Sequence, residues 1–442
     1  MTDVGAFLAT TRYGLGPAPG DLDRVAPDPA GWLAGQLSAP PALPAALQGL
    51  DGSAARIRAV LEALDESAGR VQEFLREQGR DWHLADLTAR TVAAVETATP
   101  FVERLVHFWS NHFTVSSTKP AIVVAAVAYE NEAIRPHVLG RFADMLKAVV
   151  GHPAMLVYLD NAQSIGPDSR VGSRRGLGLN ENLAREVLEL HTLGVDGGYS
   201  QDDVRALAEM LTGWSIGRAG DGDVGSFRYR PIIHQPGDKT LLGVRYPEAG
   251  QDEAIAALDA LARHPATARH LAAKLARHFV ADDPPPAVVA RLADVYLASD
   301  GSLAALAAEL VALFASLADP LAKVKTPQDF VVATLRAFSA ASRAEGGVVS
   351  LRLMGQFPFA APSPAGWPDR AADWLGPDAL RKRIDWAVEV GRRVPVLVSP
   401  VRIGRQTIWP VASAQTRFTV ESAPSVADGV ALLLASPEFQ RR

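Results

Sequence analysis

The 442-residue chain contains no cysteine. This absence excludes disulfide bridges, thiol nucleophiles and thiolate metal sites, and it leaves the redox compartment open. A metal ion would have to be bound by histidine, aspartate, glutamate or asparagine side chains. The metalloprotease motif His-Glu-x-x-His and the phosphate-binding Gly-Lys-Ser/Thr loop are also missing. Glu-x-x-His, the motif of di-iron helical bundles, does not occur either, which argues against a di-iron site.

A strong charge of one sign is lacking too. Lysine and arginine together number 44 against 49 aspartates and glutamates, a formal net charge of −5, and no block of like charges interrupts the sequence. This balance argues against nucleic acid or an anionic membrane surface as the main partner.

Long apolar runs are absent. The nearest candidate covers residues 121–128, well short of the roughly 20 residues that span a bilayer. An acid, Asp3, stands where a secretory signal would carry basic residues. The chain as given is therefore expected in the cytoplasm, and in the periplasm or outside the cell if it is a processed form.

What the sequence does contain is helical periodicity. Apolar residues recur at helical spacing in nine segments, with alanine and leucine abundant. We predict an all-α fold, one large multi-helix domain over residues 1–442 with a small β-hairpin insertion; residues 393–420 fit a loop or a short strand. The predicted helices cover residues 56–77, 99–115, 121–150, 179–193, 202–214, 252–278, 287–297, 303–317 and 327–342.

The segment 217–250 differs in kind. It begins rich in glycine and continues with two short apolar runs, 227–230 and 240–244, on either side of a Pro236-Gly237 turn. This pattern predicts a hairpin that acts as a lid over a site, with His234 and Lys239 contacting a substrate. A turn also collects polar residues without any such role.

A series of motifs occurs in a fixed order along the chain. The series resembles the bacterial family known as domain of unknown function 1800, and the resemblance runs from about Phe7 to the C-terminus. It implies a mostly helical protein, frequently exported and frequently encoded beside a sulfatase-like partner. This chain departs from that pattern because it shows no recognisable export signal. The motifs lie at residues 107–115, 180–198, 199–214, 234–243, 366–368 and 436–439.

The helix predicted over 179–193 carries the densest ionisable chemistry. A step of about 100° per residue places Asn182, Glu186 and Glu189 in one stripe beside the apolar face. Partial burial would raise the pKa of Glu186 and suit it to acid-base catalysis, and Glu189 could share a proton or a cation with it. Arg185 is predicted to bind an anionic group. The alternative is that Glu186 forms a buried ion pair with an arginine and Glu189 is solvated.

Further substrate contacts are predicted for Asn182, His191 and Trp214. His191 lies on the opposite shoulder of the helix, so it would act with groups from another helix. For Trp214 the alternative is a place in the core, since large aromatic side chains are mostly buried. Between these helices, Ser200 and Asp203 fit a helix capping box better than a calcium loop.

A second constellation lies at residues 103–113. Glu103, His107 and Asn111 follow one another at i, i+4 and i+8, opposite an apolar face, so they share one side of the helix. His107 is predicted to act with Glu186 in catalysis and Asn111 to contact substrate, which requires the two helices to be neighbours. His112 lies at the edge of the apolar face and fits a core histidine.

Two functions remain open on these residues. The first is an enzyme, a hydrolase that uses carboxylate and histidine acid-base chemistry, or one divalent metal ion held by a histidine and one or two carboxylates, in a helical cleft. The second is a non-catalytic binding or maturation partner of a sulfatase-like protein, in which the same polar residues are structural pairs.

Overall fold

In the computed structural model of the chain, residues 2–176, 178–317 and 319–442 are described. Within them the fold is mostly helical with two small two-stranded sheets, which confirms the predicted class. No helix in this part of the chain is long and apolar enough to cross a membrane.

The first third of the fold is a series of helices that mostly begin at sequence-encoded start signals. Pro100 and Pro120 occupy the first turns of α7 and α8, where a missing N–H costs nothing. The helices are α1 Thr2–Leu8, α2 Asp21–Val25, α3 Pro29–Gly35, α4 Ser53–Glu66, α5 Ala68–Phe74, α6 Arg80–Glu96, α7 Pro100–His112 and α8 Pro120–Tyr129.

The central part contains the helix that carries five of the predicted site residues, Asn182, Arg185, Glu186, Glu189 and His191. Ser200 and Asp203 form the predicted capping box at the start of α13, so the hydroxyl and carboxylate are both used by the helix end. The helices are α9 Phe142–Val150, α10 Pro153–Tyr158, α11 Gly172–Arg175, α12 Asn182–Glu186 with a π-helical continuation Val187–His191, and α13 Gln201–Met210.

The strands follow, and their pairing differs from the expected hairpin. Strand β1, Trp214–Ile216, pairs antiparallel with β2, Phe227–Tyr229, whereas β3, Lys239–Leu241, pairs with β4, Val244–Tyr246. The prediction that 227–230 pairs with 240–244 is therefore wrong. The reason is local: Leu242 and Gly243 both have positive φ, 50° and 75°, and close a two-residue turn of their own between β3 and β4.

The remainder of the chain is again helical, including the stretch that fitted a loop or strand. Ser399 and Ser413 cap helices α22 and α23, which the apolar pattern of 393–420 did not indicate. The helices are α14 Gln251–Ala262, α15 Pro265–Phe279, α16 Pro286–Ala298, α17 Leu303–Leu313, α18 Pro327–Ala337, α19 Ala344–Leu353, α20 Ala371–Trp374, α21 Pro377–Arg393, α22 Pro400–Thr407, α23 Ala414–Glu421 and α24 Val426–Ala435.

Two apolar clusters organise these helices. The larger includes Trp109 on α7 and Leu275 on α15, and the smaller includes Phe330 on α18 and Leu433 on α24. Helices α7 and α15 therefore belong to one cluster and α18 to the other. Polar residues of all three helices meet where the clusters adjoin, and that junction contains a polar cleft.

Candidate functional site: a polar cleft between α7, α15 and α18

A cleft of about 330 Å³ opens at this junction. Its walls are α7, the second half of α15, the start of α18 and the segment 356–373, with Arg90 of α6 at one side. This volume is within the range of small-molecule sites. Five lining side chains are cationic and three are anionic: Arg90, Arg104, Lys274, Arg277 and Arg370 against Asp329, Asp369 and Asp373.

Helix α15 supplies one wall because of its pattern. Leu271 and Leu275 are buried in the larger cluster, and the polar residues His270, Lys274 and His278 follow one another at i, i+4 and i+8. Lys274 and His278 line the cleft.

His278 is held by a carboxylate from a distant part of the chain. Its Nδ1 lies 2.7 Å from Oδ2 of Asp369, a distance that assigns the ring proton to Nδ1 as the donor. Burial is the main cause that lowers the pKa of His278, to about 4. The imidazole is therefore neutral at neutral pH, with its Nε2 lone pair turned away from Asp369.

Asp369 is ionised and firmly anchored. Besides His278, its carboxylate contacts Arg442 at 3.3 Å and Lys323 at 3.7 Å. Burial opposes the charge of this group, but His278, Arg442 and Lys323 together hold the pKa of Asp369 well below its usual range.

Asp329 forms the neighbouring anchor at the start of α18. Arg104 Nη1 donates to it at 3.1 Å, and Arg442 Nε lies 3.3 Å away. Burial raises the pKa of Asp329, but the positive charges of Arg104 and then Arg442 lower it more. The pKa of Asp329 is therefore well below its usual range. Arg104 also approaches Nε2 of His278 at 3.5 Å, which is longer than its contact to Asp329.

Lys274 differs from these groups because no hydrogen bond or ion pair to its ammonium occurs among the described residues. The side chain is partly buried. Burial, followed by the positive charge of Arg277, lowers the pKa of Lys274 to about 8, against a smaller opposing effect of Asp369. Among the described residues that line the cleft it is the one lysine, and its amine is accessible to a ligand.

The predicted residues of α7 do line the cleft, although they are partly occupied. His107 Nδ1 is 3.1 Å from the side-chain amide of Gln328, and burial together with Arg90 and Arg135 keeps its pKa well below the usual value. Glu103 lies beneath it and is bound by both terminal nitrogens of Arg135, at 2.6 and 2.8 Å.

Asn111 fastens the loop that forms another wall. Its Nδ2 donates to the carbonyl of Trp367 at 2.9 Å, and its Oδ1 accepts from the Trp367 N–H at 2.7 Å. Gly366 approaches so closely that an added Cβ would lie 2.4 Å from the Asn111 carbonyl. The side-chain amide is thus engaged by protein backbone.

The acidic stripe of α12 does not line this cleft. Glu186 is half-buried, and burial followed by the charge of Glu189 raises its pKa, as predicted. No ion pair to Glu186 occurs within 4 Å among the described residues, so the alternative of a buried ion pair finds no support. Arg185 instead contacts Glu181 and Gln201, each at 3.0 Å.

The rest of that stripe makes local contacts. Glu189 accepts a hydrogen bond from the hydroxyl of Tyr199 at 3.1 Å, and the backbone N–H of Asn182 donates to the side chain of Asn180. Glu189 and Asn182 are likewise not among the cleft-lining residues.

The two helices expected to be neighbours do meet, at their C-terminal ends. Nε2 of His112 lies 3.1 Å from the carbonyl of His191, and both side chains are buried. His112 lines the inner end of the cleft, while neither ring nitrogen of His191 has a hydrogen-bond partner in the described part of the chain. The shared contact therefore involves His112 and His191, and His107 lines the cleft without Glu186.

The proposed lid residues lie elsewhere. Lys239 Nζ and His234 Nε2 are each 2.7 Å from Oε1 of Glu253 on α14, and all three residues are buried. Trp214 is buried in the larger apolar cluster. The segment 217–250 packs beside α13 but contributes no residue to the lining of the cleft, so the structure does not place it as a lid over that cleft.

Two further signals were tested by geometry. The pattern Gly213-Trp214-Ser215-Ile216-Gly217 matches Gly-x-Ser-x-Gly, but Ser215 is buried within β1 and donates to the carbonyl of Ala162, so it is not an exposed nucleophile at a strand-helix turn. Among the described residues, no group of three or more histidines and carboxylates is arranged to hold a metal ion.

The residues that the sequence patterns did not single out are Arg104, Lys274, His278, Asp329 and Asp369. One signal for part of this set exists: the spacing that joins Glu103, His107 and Asn111 also joins His270, Lys274 and His278 in the predicted helix 252–278. Asp369 follows directly after the family motif at 366–368.

Comparison with known proteins gives a family and nothing closer. The family model described as "Protein of unknown function (DUF1800)" matches residues 8–441. No curated protein and no solved structure matches the chain.

Proposed function

The chain belongs to the DUF1800 family, and because the function of that family is unknown, we propose from the cleft itself that the protein is an acid-base enzyme, a hydrolase of a polar substrate. His278 is the proposed base and Asp369 the residue that positions it. The observation that carries the proposal is the 2.7 Å contact between these two side chains at the wall of an open polar cleft.

The pair has the chemistry that a general base needs. Because Nδ1–H donates to the carboxylate of Asp369, the ring is fixed in one tautomer and Nε2 is left as the proton acceptor. A water molecule or substrate hydroxyl within hydrogen-bond distance of Nε2 would transfer its proton there. Asp369 would stabilise the imidazolium that results.

Substrate binding is expected to tune this base. Burial and the charge of Arg442 lower the pKa of His278 to about 4. A base is most effective near neutral pH when its pKa lies close to the working pH. Negative charge on a bound substrate would offset the neighbouring guanidinium groups and move the pKa of His278 upward.

The acidic stripe of α12 is a weaker candidate for the acid-base group than the pair of His278 and Asp369. Glu186 has the raised pKa expected of an acid-base group, but it lies outside the lining of the cleft. His107, predicted from the sequence to be catalytic, is proposed here as a substrate contact, because it lines the cleft on the wall formed by α7.

The test is a screen of chromogenic esters, phosphoesters and glycosides with the wild-type protein and the variant His278→Asn. We expect the variant to lose activity by at least about 100-fold, the usual contribution of a general base. His137→Asn is the matched control, since His137 is not part of the cleft lining. An active substrate that His278→Asn still hydrolyses at the wild-type rate would refute the assignment.

A non-catalytic role is the second candidate, and one observation favours it. The carboxylates of Asp329 and Asp369 are both saturated by cations, as in a structural network. In that case the cleft would bind a ligand or a partner without turnover. Failure of the whole substrate screen, together with ligand binding in the cleft, would select this role.

A further inference from the structure

We infer that the cleft binds an anionic group, a phosphate, sulfate or carboxylate carried by the ligand, on the ammonium of Lys274. The inference deepens the proposed function, since it names a chemical group of the substrate for the same cleft. It nevertheless makes a claim about binding that holds or fails separately from catalysis.

The lining of the cleft carries an excess of positive charge. The protein as a whole carries a formal charge of −5, yet the side chains that line the cleft include five cations and three carboxylates. A site with an excess of positive charge in a negatively charged protein attracts anionic ligands.

Most of the arginines that line the cleft are already paired with carboxylates. Arg90 is bound by Glu130, Arg104 by Asp329, and the exposed Arg370 by Asp283. The buried ends of Asp329 and Asp369 are held by Arg442.

Lys274 stands outside these pairs, with no partner to its ammonium in the described part of the chain. Its side chain is only partly buried, so a ligand that reaches the ammonium meets a charge that no carboxylate in the described part of the chain neutralises. The same helix presents Arg277, whose Nε donates to the backbone carbonyl of Asp282 at 3.3 Å and to no other group that the structure describes. An anion held on Lys274 would therefore have a second cation within one helical turn.

The size of the cleft and the position of Lys274 also suit an anionic ligand. The cleft of about 330 Å³ has room for a small molecule or for the end of a larger one. Lys274 and His278 are one helical turn apart on α15, so a ligand whose anionic group contacts Lys274 can place a neighbouring group at His278.

The experiment measures binding of inorganic sulfate to the full chain by calorimetry, at constant ionic strength adjusted with sodium chloride. Wild-type protein should bind sulfate, Lys274→Met should bind at least tenfold more weakly, and Lys274→Arg should remain within about threefold because it keeps the charge. Lys147→Met is the matched control: Lys147 pairs with Asp144 and Asp259 and does not line the cleft.

A second measurement needs no variant. Only the protonated amine attracts an anion, and the pKa of Lys274 is about 8, so sulfate affinity should be about tenfold weaker at pH 9 than at pH 7. Sulfate keeps its charge over this range. The neighbouring histidines are neutral throughout it, because burial keeps their pKa values below 6.5, and Asp329 and Asp369 stay ionised because neighbouring cations hold their pKa values well below the usual range. The titratable or charged neighbours are Arg90, Arg104, His107, His112, His191, His270, Arg277, His278, Asp329, Asp369, Arg370 and Asp373.

The outcomes separate this inference from the proposed function. Sulfate binding that persists unchanged in Lys274→Met, or absence of binding by sulfate, phosphate and acetate alike, overturns the inference. Hydrolysis that depends on His278 but not on Lys274 would support the proposed function and contradict the anion-binding inference. Sulfate binding that depends on Lys274, without activity on any substrate, would support the anion-binding inference and contradict the proposed hydrolase activity. Tighter binding of a sugar phosphate than of inorganic phosphate would show that the anion is part of a larger ligand.

Discussion

The ion pairs at the start of α18 allow one quantitative prediction. Asp329 accepts Arg104 at 3.1 Å and lies 3.3 Å from Arg442 Nε, while the side chain of Arg104 is only 3% exposed and that of Arg442 is fully buried. The change Asp329→Asn keeps the size of the side chain but removes its charge. Arg104 then loses its carboxylate partner in a place that water hardly reaches, and Arg442 keeps only Asp369, also at 3.3 Å.

The expected loss in the free energy of unfolding is about 3–5 kcal/mol, the range measured when one member of a buried ion pair is removed. Part of the N-terminal cap survives, because the asparagine oxygen can still accept the Thr326 N–H that the Asp329 carboxylate accepts. Asp378→Asn on α21 is the control. Its carboxylate is 65% exposed and pairs with Lys382, so the loss there should be much smaller than at Asp329.

The difference in unfolding free energy between the wild type and Asp329→Asn should also depend on pH, which gives a second, independent test. The pKa of Asp329 in the folded protein is below its ordinary value, so its charge stabilises the fold above the unfolded-state pKa. That contribution is lost as the pH falls through the lowered pKa. The stability gap between wild type and Asp329→Asn should therefore be full at pH 7 and should narrow below about pH 4.

The assay is urea unfolding followed by circular dichroism at pH 7 and at pH 3. A loss below about 1 kcal/mol at pH 7 would refute the reasoning, since it would mean that Arg104 and Arg442 are adequately solvated or paired without Asp329. A gap that widens in acid would contradict the sign of the pKa shift.

Three further outcomes are expected. Asn111→Ala removes both hydrogen bonds to the backbone of Trp367 and should cost about 1–3 kcal/mol, with faster hydrogen exchange in residues 356–373; unchanged exchange there would contradict the fastening role. Glu186→Gln should slightly raise stability at pH 7, because burial raises the pKa of the folded carboxyl and the charged form is the disfavoured one; a large loss in urea unfolding would instead reveal an ion pair. Proteolysis between Arg218 and Ser226 should proceed at the same rate with and without sulfate, since that segment does not line the cleft; protection by sulfate would restore the lid hypothesis.

Local chemistry in the sequence was sufficient for much of the fold. Helical spacing of apolar residues, Pro100 at the start of α7 and the Ser200–Asp203 capping box act within a few residues, so the pattern that predicts them is visible in one stretch of chain. The raised pKa of Glu186 follows in the same way from its place beside an apolar face. The β pairing failed because three-residue strands carry almost no periodicity, and the turn at Leu242-Gly243 was decisive instead.

The cleft, in contrast, was decided by tertiary packing. His278 meets Asp369 across 91 positions of the chain, and Arg104 meets Asp329 across 225. Spacing along one helix could place His107 and Asn111 on one face, but it could not say that α18 and the segment after Trp367 would complete that face. Such pairs depend on how two apolar clusters adjoin, and side-chain periodicity describes only which face of a helix is buried, not which partner buries it.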